Sequence, residues 1–132
     1  MAYSTQTDIE NVFGEKNVET WSDLDGDGTL DSTRVAASIA YADEFINSML
    51  RGGVYAIPIG SSNVLVTNWS AVLAGAWLYR SRGLRDDNLE GDKIESQRQD
   101  VESKLAQVNA GVIQLDVART SPDSTTAMSV VI

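Results

Sequence analysis

Residues Val64 to Arg82 read VLVTNWSAVLAGAWLYRSR. Leu65, Trp69, Val72, Leu73, Ala76 and Trp77 share one side of a 3.6-residue helix, and Val66, Ala71, Leu78 and Tyr79 widen it. A helix that is apolar around most of its circumference belongs at the centre of a fold. Ala71, Ala74, Gly75 and Ala76 are small and let a neighbouring helix come close. Arg80, Arg82 and Arg85 make a basic C-terminal end, favourable for the helix dipole. A phosphate contact is the other use for that cluster. Trp69 and Trp77 could form a stacking platform, but their spacing suits a core stripe better.

The neighbours of this helix follow the same period. From Thr33 to Arg51, Val35, Ile39, Ala42, Ile46 and Met49 are spaced as one apolar face, with Gly52-Gly53 as the stop. Val54 to Ile59 is a short extended piece, because Pro58 biases Ile57 away from helix. Asn63 or the serines before it can cap the central helix. From Lys93 to Asn109 the stripe is thin, Ile94, Val101, Leu105 and Val108, so this helix packs on one side only. Leu84 to Asp92 reads as a polar loop. At the front, Thr5 or Thr7 caps a short helix that Gly14 ends, and Asn17 to Trp21 forms a second short turn. The expected fold is mainly α: a four-helix domain over residues 1–117, with short extended segments and an extended C-terminal tail over 118–132.

Composition narrows the function. The chain has 132 residues with 10 Lys+Arg against 19 Asp+Glu, a net charge of −9. Such a surface repels phosphate, so DNA is not expected to be gripped. There is no Cys and no His, which removes thiolate metal sites, Cys nucleophiles and the commonest general base. No phosphate loop or serine elbow is present. A hydrolase working with carboxylates alone is the one catalytic reading left, and the expectation is no enzyme. The apolar run Val64 to Leu78 is broken by Thr67, Asn68 and Ser70, and falls short of the ~20 apolar residues a bilayer needs. The polar, acidic N-terminus is unlike a signal peptide, so no membrane partner is expected and synthesis is cytoplasmic.

Two local features remain. Asp23, Asp25 and Asp27 alternate, followed by Gly28, Thr29, Leu30 and Asp31. This fits the first nine positions of a calcium loop, with Asp23, Asp25, Asp27, Thr29 and Asp31 as the ligand set. The twelfth position should be a bidentate Glu and is Arg34. The bland reading is an acidic turn that caps the next helix. No cofactor is required, and calcium is the one candidate. The second feature is the tail. Ile113 to Val117 alternates at the strand period, Arg119 to Thr126 cannot build a core, and the chain closes on Met128, Ser129, Val130, Val131 and Ile132. Met128, Val130, Val131 and Ile132 are what a strand donated to another chain would look like. A terminus without fixed structure is the competing view.

The ordered set Tyr3-Ser4-Thr5, Asp8-Ile9, Phe13-Gly14, the Asp/Gly turn, Ala42, Ile46 and Leu50 resembles a family of tailed-phage proteins, the head–tail connector or head-completion proteins. The likeness continues through Arg51, Tyr55 and Ile57-Pro58-Ile59 to Ala74, Ala76 and Leu78-Tyr79-Arg80. It spans about Tyr3 to Leu115. The family's adjacent Arg-Tyr is here split by Gly52-Gly53-Val54. The resemblance implies a homo-oligomeric ring, commonly twelvefold, beneath the portal protein, with a tail or stopper protein docking below. DNA would pass through without specific binding. The place implied is the head–tail interface of a virion assembled in a host cytoplasm. The alternative is a small acidic calcium-binding or regulatory module.

Overall fold

The structure, a computed structural model, describes residues 2–59, 63–82 and 89–115. Five helices follow one another: α1 (Gln6–Phe13), α2 (Glu15–Ser22), α3 (Ser32–Leu50), α4 (Val64–Ser81) and α5 (Leu89–Asn109). No strand occurs among the described residues, so the fold is mainly α, as expected. The tail 118–132 lies outside the described residues, as do the last two positions of the alternating Ile113–Val117 stretch; its first three form no strand.

Three of the starts, those of α1, α3 and α4, are set by a short polar side chain. Thr5 and Asp8 cap α1 reciprocally: the Asp8 amide donates to Thr5 Oγ1, and Thr5 N donates to Asp8 Oδ2 at 2.8 Å. Asp31 Oδ1 accepts the amides of Thr33 and Arg34, and Asn63 Oδ1 accepts those of Leu65 and Val66. Two starts differ from the sequence reading. The turn expected at Asn17 to Trp21 is a full helix, α2, because Gly14 at φ 98° reverses the chain after α1 and lets the next turn begin at once. Val18 and Trp21 then fall on one buried side. The loop expected up to Asp92 is helical from Leu89. Asp92 lies near its start, where negative charge is favourable.

Helix α4 is the centre. From Val66 to Tyr79 it is buried at most positions, including Ser70. It runs antiparallel to α3: Arg34 Nη2 donates to Ser81 Oγ at 2.6 Å at one end, and Ser70 Oγ donates to Asp43 Oδ1 at 2.8 Å further along. Helix α5 lies on the next flank, with Arg80 paired to Glu95 at 3.3 Å. Its buried residues are Ile94, Val101, Leu105 and Val108, the thin stripe the sequence shows. Helix α1 crosses α4 at its smallest residue. A Cβ built on Gly75 would stand 2.1 Å from Phe13 Cε2, so only glycine admits the ring. Phe13 packs edge-on to Trp21, and Trp21 to Tyr79.

Two tyrosines tie the connecting segments to the bundle. Tyr3 Oη accepts Ile59 N at 2.8 Å and donates to Asn47 Oδ1. Tyr55 Oη accepts Leu115 N at 2.7 Å. No helix among the described residues is long and apolar enough to cross a membrane.

Candidate functional site

The acidic loop between α2 and α3 is built around Asp23. Its Oδ2 accepts Gly28 N at 2.8 Å and its Oδ1 accepts Asp27 N at 3.1 Å. Gly26 and Gly28 turn at φ 73° and 82°, which brings those amides inward. Burial pushes the Asp23 carboxyl up, but the Gly28 and Asp27 amides and the neighbouring aspartates outweigh it, and its pKa stands below the usual value. Asp25 is held above its usual value, first by its hydrogen bond with Asp23 and then by the charge of Asp27. One carboxylate oxygen from each of Asp23, Asp25 and Asp27 lies within 4.8 Å of the others.

The other members of the predicted ligand set are used differently. Thr29 donates from N and Oγ1 to Asp27 Oδ1, at 3.0 and 2.8 Å. Asp31 is turned to the first turn of α3, and its own amide donates to Ser22 Oγ. Arg34, at the twelfth position, points away from the loop. Its guanidinium carbon sits 4.8 Å from the centre of the Trp77 ring. The loop therefore closes on its own amides, with three carboxylates at its mouth and no side chain in the place of the bidentate acid.

The other sequence candidates resolve into struts and surfaces. Arg82 donates to Thr20 O, so with the Arg80–Glu95 pair the basic end of α4 bonds to α2 and α5. Arg85 lies outside the described residues. Trp69 is buried, and Trp77 is half-buried beside Tyr41 under Arg34, so the two rings form no common platform. The predicted interface residues Met128, Val130, Val131 and Ile132 lie outside the described residues.

Two arrangements have no counterpart in the sequence reading. Ser4 and Ser70 share a 2.6 Å hydrogen bond, and Asp43 accepts from both Ser70 Oγ and Tyr3 N. Burial raises the Asp43 pKa, with the Ser70 and Tyr3 bonds pulling the other way. A serine in the middle of an otherwise apolar helix was the available signal. The second is a groove. Leu65, assigned by periodicity to the apolar face of α4, is 43% exposed, and Val64 at the start of the helix is 85% exposed. They open onto depressions of about 530 Å³ against α1, lined by Asp8, Asn11 and Val12, and about 490 Å³ against α5, lined by Lys93, Val101 and Lys104.

A family model described as Bacteriophage Mu, Gp36 matches residues 3–132. No curated protein matches the chain significantly. A match that runs through all five helices and the loops between them leaves no separate unit to be explained, and the chain belongs to the bacteriophage Mu Gp36 family.

Proposed function

We propose that this phage protein is a structural head–tail adaptor. It forms a ring, twelvefold by the resemblance noted above, that joins the portal to a tail or stopper protein and lines the channel through which DNA passes. The observation that carries the reading is the match to a phage family over residues 3–132, taken with the connector-like order of residues from Tyr3 to Leu115. Several features suit the role. A net charge of −9 repels a passing polyanion instead of holding it. A protein that works by fit is consistent with the use of its inner polar groups: buried Ser4 and Ser70 and half-buried Asp43 bond one another within the bundle. Residues Met128 to Ile132 supply an apolar strand for a neighbour. The chain acts in the virion at the head–tail interface after synthesis in the host cytoplasm.

The test is assembly. Purified chain mixed with the portal of the same phage should form rings visible by negative-stain electron microscopy. Particles lacking the protein should hold DNA but no tail. Tailed, infectious particles made without it would end the adaptor reading.

One observation favours a calcium-binding module as a second reading, the convergence of Asp23, Asp25 and Asp27. Asp23 already serves two amides and Arg34 turns away, which supports the reading of the loop as a turn that starts α3. Millimolar calcium should leave the melting temperature unchanged. A rise that Asp25→Ala abolishes would reinstate the metal site through its mass-action stabilisation.

A further inference from the structure

We propose that the groove between α1 and α5, floored by α4, seats the outward face of α3 from a second copy of this chain. The inference rests on the ring reading above and names the two surfaces that would meet in the ring.

The groove is continuous. Its depressions of about 530, 490 and 350 Å³ adjoin through shared residues: Asn68 joins the first two, Val12 the first and third, Lys93 and Gln97 the second and third. Its floor includes Val64, Leu65 and Val72, and α3 contributes nothing to it. Scattered exposed apolar residues are ordinary, but here they adjoin along one concave face.

The groove and the back of α3 lie on opposite sides of the bundle. On α4, Ser70 faces α3 through Asp43, and Asn68 is two residues away, roughly 160° around the helix. On α3, Ala42 is buried, and Ala40 is two residues away by the same roughly 160°. Ala36, Ala37 and Ala40 are all exposed. Two different surfaces on opposite sides of a subunit make a heterologous contact, which closes into a ring when the rotation permits. A symmetric dimer would instead need one surface that complements itself.

Shape and charge both fit. Alanines let a helix axis come close to the pair of helices that receives it. Lys93 on the α5 rim has no ion pair among the described residues. Glu44, one turn beyond Ala40 on the outward side of α3, has a 3.4 Å contact with Arg51, and both side chains are more than half exposed. A Lys93–Glu44 contact across the interface would set the register and offset repulsion between two acidic copies.

The absence of cysteine makes the test direct. An Ala40→Cys chain mixed with an Asn68→Cys chain and oxidised should give a cross-linked dimer of one copy of each, while neither alone does. A chain carrying both substitutions should give a ladder of covalent oligomers. Ala40→Arg, at an exposed helical position, should keep the melting temperature and lose the oligomer. If wild-type chain assembles but Ala40 and Asn68 do not cross-link, or Ala40→Arg assembles normally, the assignment of faces is overturned and the ring stands. Cross-links between two Ala40→Cys copies alone would mean a symmetric contact and overturn it equally. Wild-type chain that stays monomeric both alone and with the portal overturns the ring and the interface together.

Discussion

Gly75→Ala puts two effects in opposition, and the structure says which is larger. Gly75 is in the middle of α4, where alanine is favoured over glycine by about 1 kcal/mol. On propensity alone the substitution should stabilise. The added Cβ, however, would lie 2.1, 2.3 and 3.1 Å from Cε2, Cδ2 and Cζ of Phe13, where carbon atoms normally sit ~3.5–4.0 Å apart. Relief requires the ring to move by more than ~1 Å. It is not free to do so, because Phe13 packs on Trp21 at 5.3 Å between centres and Trp21 packs on Tyr79 at 5.2 Å. Overpacking of this kind costs about 1–3 kcal/mol, and an overlap this deep belongs at or above the upper end. The expected net loss is therefore about 2 kcal/mol, a fall of roughly 5–10 °C in melting temperature for a domain of this size. Thermal and urea denaturation followed by circular dichroism measure it. Removing the ring should reverse the sign: in a Phe13→Ala background, Gly75→Ala should become neutral or stabilising by up to about 1 kcal/mol. The double-mutant cycle should report a coupling of about 2–3 kcal/mol. Stabilisation by Gly75→Ala in the wild-type background would refute the close crossing of α1 and α4.

Trp69→Ala, at a side chain 4% exposed between α4 and α5, should cost about 3–5 kcal/mol in urea denaturation, and a loss below about 1 kcal/mol would place Trp69 on the surface. Asp43 has its pKa raised in the folded state, first by burial, so the native protein binds its proton at a higher pH than the unfolded chain does. The contribution of Asp43 to stability should therefore rise as pH falls towards the usual aspartate range, and Asp43→Asn should remove that contribution from pH-dependent melts compared with wild type; an identical pH dependence in the two proteins would show that Asp43 titrates alike in both states. Deleting Ala127 to Ile132 should leave the melt and helical content near wild type and abolish particle completion; normal completion by the truncated protein would show that the segment joins no neighbour.

The elements legible from sequence are those in which a short-range rule and the tertiary environment agree. The stripe of α5, Ile94, Val101, Leu105 and Val108, is buried as its spacing requires, because only one side of that helix meets the bundle. The caps at Thr5, Asp31 and Asn63 are equally local, since each side chain bonds amides two or three residues ahead. Helix α2 was hidden because its start depends on Gly14 reversing the chain, a conformational event that leaves no periodic trace over so few residues. On α3, Val35, Ala42 and Ile46 of the expected face are buried, and Ile39 and Met49 only partly so. Periodicity favours Ile39, yet Ser38 is fully buried and Ile39 only half, because a serine whose hydroxyl donates to Val35 O occupies little room against α4.

The acidic loop is the case that spacing alone leaves open. Three carboxylates at alternate positions are common to a calcium loop and to a turn that folds onto its own amides, and the pattern through Gly28 is the same for both. The position that completes a calcium loop, nine residues after Asp25, is Arg34 here, and the structure adds where its side chain goes. Arg34 reaches Trp77 and Ser81 at the far end of α4, a contact between residues 47 apart in sequence that no motif encodes. The surface of α4 carries the same lesson in reverse. Val64 and Leu65 have the residue types of a core and the exposure of an edge, because α1 and α5 pack on either side of this end of α4 without meeting over it. A helix apolar around most of its circumference belongs at the centre of the fold, yet one end of this one is open among the described residues. In the adaptor proposed above, the part of that helix left open by the described residues is where another chain can complete the enclosure, and hydrophobicity in excess of the monomer's needs is the form in which such a contact is written in a sequence.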